Sequence, residues 1–272
     1  MDLSNENIIH IKKDTIEYLQ FRKLLEYSDI ITHAYSLKKY NENYKTTKYY
    51  QKTDSYETAI QCYKTLCSEI GTDYKNLVKP CQKHTDHIAS IKEKVKKEEP
   101  DFMLESLKNT DGTITNQKNL LLSSTNADCI LLLFFDPVKK VIANIHSGWK
   151  GTLQRIGVKA VEKLVEEYHC NPADIICCIC PSIRECHFEV QEDVKKLFEN
   201  EFKDLENIII NRNGQYYIDT VEINKIILKR AGLKQANIID SKICSICNQD
   251  LIHSYRVEGS SYGLNTALIG LV

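Results

Sequence analysis

An unbroken apolar run at residues 129–135, ended by Asp136 and Pro137, constrains the fold more than any other feature of this sequence. A run of this length is far shorter than the roughly 20 residues that span a bilayer. Short apolar runs bounded by a turn signal are typical of buried strands. The run therefore predicts a strand in the interior of a folded domain.

The segments around this run mix the periodicities of strands and helices. Strand-like patterns occur at residues 119–122, 141–145, 175–179, 216–218 and 252–256, and helix-like patterns at residues 55–70, 152–168, 191–202 and 221–231. The strict alternation of a doubly wound sheet is absent, so the pattern favours an α+β fold. No linker rich in Gly, Pro or Ser divides the chain. We therefore expect a single domain over residues 1–272, with a surface loop at residues 38–56.

The charge balance limits the kinds of partner. The 36 basic and 37 acidic residues leave a net charge of -1, which gives no sign of a nucleic acid or an anionic membrane as partner. The sequence begins without the basic and apolar stretches of a signal peptide, so a cytoplasmic location is expected. In that compartment the 11 cysteines should be thiols or metal ligands rather than disulfides.

His84, Cys129 and His146 each lie where a predicted strand meets a loop, a position that suits a rigid site. Two imidazoles and a thiolate are a good zinc set, and three protein ligands leave the fourth position open, as in catalytic sites. The spacings of 45 and 17 residues follow no fixed motif. Two other interpretations stay open: a nucleophile and base formed by Cys129 and His146, or an ordinary core cysteine with hydrogen-bonded histidines.

The segment at residues 148–152 joins a predicted strand to a predicted helix. Backbone N–H groups at the start of a helix can hold an anion, and Lys150 adds a positive charge there. The segment lacks the spacing of a Walker loop. The alternative is a tight turn in which Trp149 packs into the core.

Two further patterns suggest metal chemistry but do not match known sites closely. His187 opens an H-x-E pattern, but the downstream P-C-x-x-C of zinc deaminases does not follow it. The pairs Cys177 with Cys180 and Cys244 with Cys247 resemble the halves of a zinc ribbon. About 60 residues separate the pairs, whereas about 15–20 are usual. We therefore expect neither site.

Several blocks of the sequence recur in one order in a known family. The main blocks are Gln82-Lys83-His84, Thr125-Asn126-Ala127-Asp128-Cys129 and His146-Ser147-Gly148-Trp149-Lys150-Gly151. Further blocks are Asp111-Gly112, Pro181-Ser182-Ile183, Phe188-Glu189-Val190 and Ser254-Tyr255-Arg256. The main blocks resemble Q-V-H, T-A-D-C and H-A-G-W-[RK]-G of the YfiH/laccase-domain family, and the resemblance covers residues 75–270. His187 stands where the family commonly has a second cysteine. Residues 1–74 carry only a faint match.

The resemblance implies a four-layer α/β/β/α fold with mixed sheets. It also implies a zinc ion held here by His84, Cys129 and His146, and the activity of a purine nucleoside phosphorylase that also deaminates adenosine. The substrates would be phosphate and a purine nucleoside, such as adenosine, inosine, guanosine or methylthioadenosine. None of the three metal positions departs from the family pattern.

For this activity Cys129, His146 and Asp128 are the catalytic candidates, with Asp128 as a proton carrier or a purely hydrogen-bonding residue. Lys150 and Arg256 are the candidates for holding phosphate or ribose. A cysteine hydrolase that edits peptidoglycan precursors and a polyphenol oxidase are the alternatives. The eight histidines include no H-x-H pair, so copper is less expected than zinc. A non-catalytic binding protein with this fold is the last alternative, and the oligomeric state stays open.

Overall fold

Two mixed β-sheets occupy the centre of this protein, in a computed structural model that describes residues 1–46, 54–92 and 107–272. Within those residues the strands are β1 (Ile8–Lys12), β2 (Glu17–Phe21), β3 (Ile31–Ser36), β4 (Leu77–Val78), β5 (Ile88–Ser90), β6 (Gly112–Thr115), β7 (Leu121–Asn126), β8 (Ile130–Asp136), β9 (Val141–Ser147), β10 (Ile176–Ile179), β11 (Glu189–Val190), β12 (Ile209–Arg212), β13 (Gln215–Ile218), β14 (Ile238–Asp240) and β15 (Asn265–Leu271). The α-helices are α1 (Arg22–Leu25), α2 (Asp54–Glu69), α3 (Trp149–Leu153), α4 (Ile156–Tyr168), α5 (Glu192–Glu201), α6 (Thr220–Arg230) and α7 (Tyr255–Glu258).

The strand order shows how distant parts of the chain meet. The first sheet has the order β1-β2-β3-β15-β7-β4, the second has the order β14-β10-β8-β9-β6-β5, and a small third sheet has the order β11-β13-β12. Most neighbouring strands are antiparallel, but β4 with β7, β5 with β6, and β10 with β14 are parallel. Both large sheets are therefore mixed, and in the first sheet the N-terminal strand β3 lies beside the C-terminal strand β15.

Strand β8 accounts for the apolar run at residues 129–135. Leu131 and Leu133 pack into the core between the two large sheets, whereas Leu132 and Phe134 pack toward the helices on the opposite face. Successive side chains of a strand point to opposite faces, so a strand that is buried on both faces is apolar at every position. The prediction of a buried strand is confirmed.

Helices cover the outer face of each large sheet. On the first sheet, Tyr63 and Leu66 of α2 pack with Leu121 and Leu268. On the second sheet, the apolar faces of α4 and α6 pack onto β8 and its neighbours. Two sheets lying face to face with helices outside them make four layers, α/β/β/α. The predicted α+β fold class with mixed sheets is confirmed.

Two predictions of local structure are wrong. Residues 152–168 form two helices rather than one because Arg155 has a φ of 56°, and a left-handed residue cannot continue a right-handed helix. Residues 252–256 form no strand, because the Ser254 side chain accepts a hydrogen bond from Val257 N and so begins α7. None of the described helices is long and apolar enough to cross a membrane.

The N-terminal region is more ordered than the sequence suggested. Tyr44 lies in the predicted surface loop, yet its side chain is fully buried and its ring packs edge-on against Tyr63, with ring centroids 4.9 Å apart. Strands β1 to β3 were not predicted, because their polar and apolar residues mix. Residues 47–53 of the predicted loop lie outside the described residues.

Candidate active site

Three side chains converge where β8 begins and β9 ends. His146 lies in β9 opposite Leu131 of β8, Cys129 immediately precedes β8, and His84 comes from the loop between β4 and β5. His84 Nε2 is 3.8 Å from Cys129 Sγ, and one ligand atom from each of the three residues lies within 4.8 Å of the other two. The structure thus brings together the three residues that the sequence predicts as metal ligands.

The separation of these atoms suits a zinc ion. Zinc binds histidine nitrogen at about 2.0–2.1 Å and cysteine sulfur at about 2.3 Å, so a nitrogen and a sulfur on one tetrahedral ion lie about 3.6 Å apart. The distance from His84 Nε2 to Cys129 Sγ is close to this value. Two imidazoles and a thiolate also match the ligand types that zinc prefers. The three residues therefore fit the metal.

Asp111 holds both histidines in place. Its carboxylate accepts hydrogen bonds from His146 Nδ1 at 2.8 Å and from the backbone N–H of His84 at 3.0 Å. The backbone N–H groups of Lys83 and Thr85 also donate to it. Burial would raise the pKa of Asp111, but the His146 hydrogen bond and charge and these backbone donors lower it to about 2. A carboxylate behind a ligating histidine fixes the ring and leaves its other nitrogen for the metal.

The charges in the site favour a thiolate. Burial would raise the pKa of the Cys129 thiol, but the positive charge of His146 and hydrogen bonds from both histidines lower it to about 6. Burial would lower the pKa of His146, but the Cys129 thiolate and Asp111 raise it to about 9. A dication at this point would favour the thiolate in the same way. Cys129 is therefore available as a metal ligand near neutral pH.

Gly148 leaves the space that the ligands occupy. A Cβ atom at this position would lie 2.9 Å from His84 Cδ2 and 3.0 Å from Cys129 Sγ. The φ of Gly148 is -62°, which any residue can adopt. The glycine is therefore required by the close approach of the ligands and not by its backbone conformation.

The three ligands lie in the wall of a cavity of about 530 Å³, within the range of about 300–1,000 Å³ that is usual for small-molecule sites. The cavity has aromatic rings on its walls from Trp149, Phe188, Tyr255 and Tyr262. Among the described residues, the cationic residues Lys45, Lys79 and Arg256 also line it. A flat, partly apolar ligand that carries negative charge would suit this lining.

Lys79 is the least expected of these cations. Its side chain is buried, and burial lowers its pKa to about 8 despite the nearby Cys81 thiol. Among the residues that the structure describes, no carboxylate forms an ion pair with it. A buried ammonium group without a counter-ion gains from an anion beside it. Lys79 is therefore a candidate contact for a negatively charged group of a ligand.

The other predicted ligand contacts have different positions. Arg256 lines the cavity, and its Nη2 atom donates to the Glu189 carbonyl at 3.2 Å. Lys150 is exposed and is not among the cavity-lining residues, and its Nζ atom lies 5.4 Å from the centre of the Trp149 ring. Helix α3, which contains Lys150, has only five residues.

Asp128 also lines the cavity, but both of its carboxylate oxygens have partners. Oδ1 accepts a hydrogen bond from Ser245 Oγ at 2.6 Å, and Oδ2 accepts one from the backbone N–H of Arg256 at 2.8 Å. These contacts connect the start of β8 to the segment that carries Arg256. They match the hydrogen-bonding alternative for Asp128.

The sequence alone gives no role to Asp111 or Lys79. Asp111 was visible as one of the recurring family blocks, but nothing in its neighbourhood along the chain connects it to His146. The β6–β9 ladder makes that connection, because Gly112 is paired with Ile145 and so Asp111 lies beside His146. Lys79 is one of many lysines, and no pattern distinguishes a buried one.

The fold and the converging ligands define a four-layer α+β protein with a candidate metal site of two histidines and one cysteine. A family model described as multi-copper polyphenol oxidoreductase laccase matches residues 36–272. The chain belongs to this family.

Named relatives show what proteins of this kind are known to do. The purine nucleoside phosphorylase YlmD of Bacillus subtilis is 31% identical over 208 residues, which are 76% of this chain and 74% of YlmD. The adenosine deaminase RL5 of an unknown prokaryotic organism is 29% identical over 201 residues, 73% of this chain and 76% of RL5. The crystal structure of YfiH from Bacillus licheniformis has a TM-score of 0.82 and 25% identity, with 98% of this chain and 100% of YfiH covered.

Proposed function

We propose that this protein is a zinc-dependent enzyme of purine nucleosides that cleaves them with phosphate and deaminates adenosine. The observation that carries the proposal is the convergence of His84, Cys129 and His146 in the wall of a cavity. The same cavity is lined by the buried residue Lys79, which has no ion-pair partner among the described residues. The names of the relatives, a purine nucleoside phosphorylase and an adenosine deaminase, support the same substrate class. We also propose a cytoplasmic location, since both nucleosides and phosphate occur there.

Zinc is the metal that the donor set favours, with His84, Cys129 and His146 as its ligands. When bound, it supplies a Lewis acid and lowers the pKa of a coordinated water. The family description names copper, but the chain has no H-x-H pair among its eight histidines. We therefore propose zinc over copper, and a nucleoside enzyme over a polyphenol oxidase.

The remaining cavity residues fit the two halves of a nucleoside. The rings of Phe188, Tyr255 and Tyr262 give the purine flat apolar surfaces, and Lys45 and Arg256 lie near enough to the cavity to contact ribose hydroxyls. In phosphorolysis a phosphate oxygen forms a bond to C1′, and the C1′–N9 bond breaks as the purine leaves with the electron pair. In deamination water adds at C6 of adenosine and ammonia leaves.

We propose that Lys79 holds the phosphate. Lys79 is a buried residue that lines the cavity, whereas Lys150 is exposed and lies outside the cavity lining. Because both side chains carry the same charge, Lys150→Ala is the matched control for Lys79→Ala. The sequence alone indicates Lys150 as a contact for phosphate. If that is right, the same experiment will show a loss of phosphorolysis in Lys150→Ala and not in Lys79→Ala.

The test is turnover of inosine and adenosine with and without phosphate, together with zinc analysis. A charge-assisted contact is worth about 1.5–3 kcal/mol, so Lys79→Ala should lower phosphorolysis about 10- to 150-fold in kcat/KM. Phosphate-independent deamination and zinc content should change much less. Absence of any nucleoside turnover by the zinc-loaded protein would contradict the proposed activity. Loss of phosphorolysis in Lys150→Ala but not Lys79→Ala would transfer the phosphate site to Lys150.

One observation favours a second candidate, a cysteine hydrolase acting on amide-linked cell-wall precursors. The lowered pKa of Cys129 beside His146 is also typical of a nucleophile and its base. Metal distinguishes the two enzymes, since a thiolate bound to zinc is a poor free nucleophile. Rapid alkylation of Cys129 by iodoacetamide in active, zinc-free protein would support the hydrolase. Protection of Cys129 by one equivalent of zinc, with activity retained, would support the nucleoside enzyme.

A further inference from the structure

We propose that Cys186, His187, Cys244 and Cys247 bind a second zinc ion, which has a structural role. These four residues, called the cysteine–histidine cluster below, come from two loops. Cys186 and His187 follow β10, and Cys244 and Cys247 follow β14. One ligand atom from each residue lies within 4.8 Å of all the others.

The distances within the cluster match a tetrahedral zinc site. On one zinc ion, two sulfur ligands lie about 3.8 Å apart, and a sulfur and a nitrogen lie about 3.6 Å apart, given bonds of about 2.3 and 2.0–2.1 Å. Here Cys186 Sγ is 3.8 Å from Cys247 Sγ. His187 Nδ1 is 3.2 Å from Cys186 Sγ, 3.7 Å from Cys244 Sγ and 3.6 Å from Cys247 Sγ. Four of the six separations are thus within about 0.4 Å of those in a zinc tetrahedron, and the other two are no longer than 4.8 Å.

Hydrogen bonds alone do not explain this arrangement. A single imidazole nitrogen has either one N–H or one lone pair, so it can make one good hydrogen bond. Three sulfur atoms surround His187 Nδ1 within hydrogen-bond range. Thiols are weak donors and acceptors, and they gain little from crowding around one nitrogen. A cation that all four atoms share explains why they all point to one place.

The backbone brings the two loops together independently of the cluster. Ser182 and Cys244 form a β-bridge, in which Ser182 N donates to Ile243 O and Ser245 N donates to Ser182 O. The Asn248 side chain also donates to the Cys244 carbonyl at 2.8 Å. The site is therefore built on a fixed backbone framework, which reduces the entropy that metal binding must overcome.

The proposed ion would stabilise one wall of the cavity. His187 precedes Phe188, which lines the cavity. Ser245, between two ligands, donates a hydrogen bond to Asp128, the neighbour of Cys129. Four protein ligands leave no open position for substrate, as in structural zinc sites. The ion would thus hold the loops that carry these residues and would not take part in the reaction.

The experiment counts zinc in purified protein by mass spectrometry after gel filtration. Wild-type protein should contain about two zinc ions per chain, and Cys247→Ser about one. Cys62→Ser is the matched control, because Cys62 is also a free, partly exposed thiol but lies outside both groups of ligands. It should contain as much zinc as the wild type. The difference in zinc content between wild type and Cys247→Ser tests the cysteine–histidine cluster alone, because both proteins have the same residues at the His84 site.

A second set of variants distinguishes loss of the metal from misfolding. His187→Cys replaces the nitrogen ligand by a thiolate and should keep both zinc ions, whereas His187→Ala should lose one. Cobalt added to zinc-free Cys129→Ser protein should give the intense thiolate-to-cobalt absorption of a site with several sulfurs. This band should be absent in the double variant Cys129→Ser, Cys247→Ser. Equal zinc content in wild type and Cys247→Ser would overturn the proposal. A disulfide between Cys186 and Cys247 in wild-type protein purified under reducing conditions would also overturn it.

Discussion

Asp111→Asn tests how the candidate metal site is held together. The substitution keeps the size of the side chain but removes its negative charge. The carboxylate accepts hydrogen bonds from His146 Nδ1, from the backbone N–H groups of His84, Lys83 and Thr85, and from the Thr85 hydroxyl. Oδ1 accepts the hydrogen bonds from His146 and His84, and Oδ2 accepts those from Lys83 and Thr85. An asparagine has one oxygen and one NH₂ group. In either orientation of its amide, the NH₂ group therefore faces two N–H groups that had an acceptor in the wild type.

The size of the effect follows from these contacts. Each buried N–H without an acceptor costs about 1–3 kcal/mol, so the free energy of unfolding should fall by about 2–6 kcal/mol. Loss of the partner that orients a ligating histidine lowers metal affinity about 10- to 100-fold. Because the pKa of Asp111 is lowered to about 2, the wild-type carboxylate is charged at pH 7 and the full difference should be visible there.

Zinc affinity would be measured by competition with a chromophoric chelator, and stability by denaturant unfolding. Asp136→Asn is the matched control, because Asp136 is also buried and its Oδ1 atom accepts hydrogen bonds from Val138 N and Lys139 N. It lies at the far end of β8, about 23 Å from Cys129 at about 3.3 Å per residue. Because both N–H groups donate to the same oxygen, an asparagine at position 136 can still accept both bonds. Asp136→Asn should therefore lose much less stability than Asp111→Asn and keep its zinc affinity at the candidate active site. Equal affinity losses in the two variants would refute the role of Asp111.

Three further predictions test other parts of the molecule. Gly148→Ala should lower zinc affinity and activity, because the new methyl group would press on His84 and Cys129 and overpacking costs about 1–3 kcal/mol, or about 5- to 150-fold; zinc titration checks this, and normal zinc binding would contradict it. Arg256→Ala should raise the KM for nucleoside more than it lowers kcat, and the opposite split in steady-state kinetics would count against a binding role. His33 is fully buried, and burial lowers its pKa to about 3, so the unfolded chain takes up a proton there below about pH 6.5 while the folded protein does not. Stability should therefore fall as the pH drops, by about 2 kcal/mol from this residue at pH 5, and His33→Gln should show a shallower loss in denaturant unfolding at pH 7 and 5; an unchanged slope would argue against it.

The sequence by itself determined the features that depend on local pattern. The run at residues 129–135 predicted the strand that is buried on both faces, and the apolar periodicity predicted α2, α5 and α6 to within a few residues. The recurring blocks predicted the family and the three residues that converge at the candidate metal site. The secondary structure can be predicted because the pattern of apolar residues is repeated over many neighbouring positions.

Only the tertiary structure decided which distant side chains meet. Asp111 lies beside His146 because β6 pairs with β9. Lys79 lines the cavity and Lys150 does not. This difference depends on the direction in which the chain leaves β4 and on the direction in which it enters α3. His187 of the rejected H-x-E pattern and the Cys244-x-x-Cys247 pair contribute to the cysteine–histidine cluster, because the loops after β10 and β14 meet where those two strands pair in parallel. Cys177 and Cys180 are buried in the core instead. Local sequence records which residues are buried, but the order of strands in a sheet sets which loops share an edge, and contacts between such loops have no local signature.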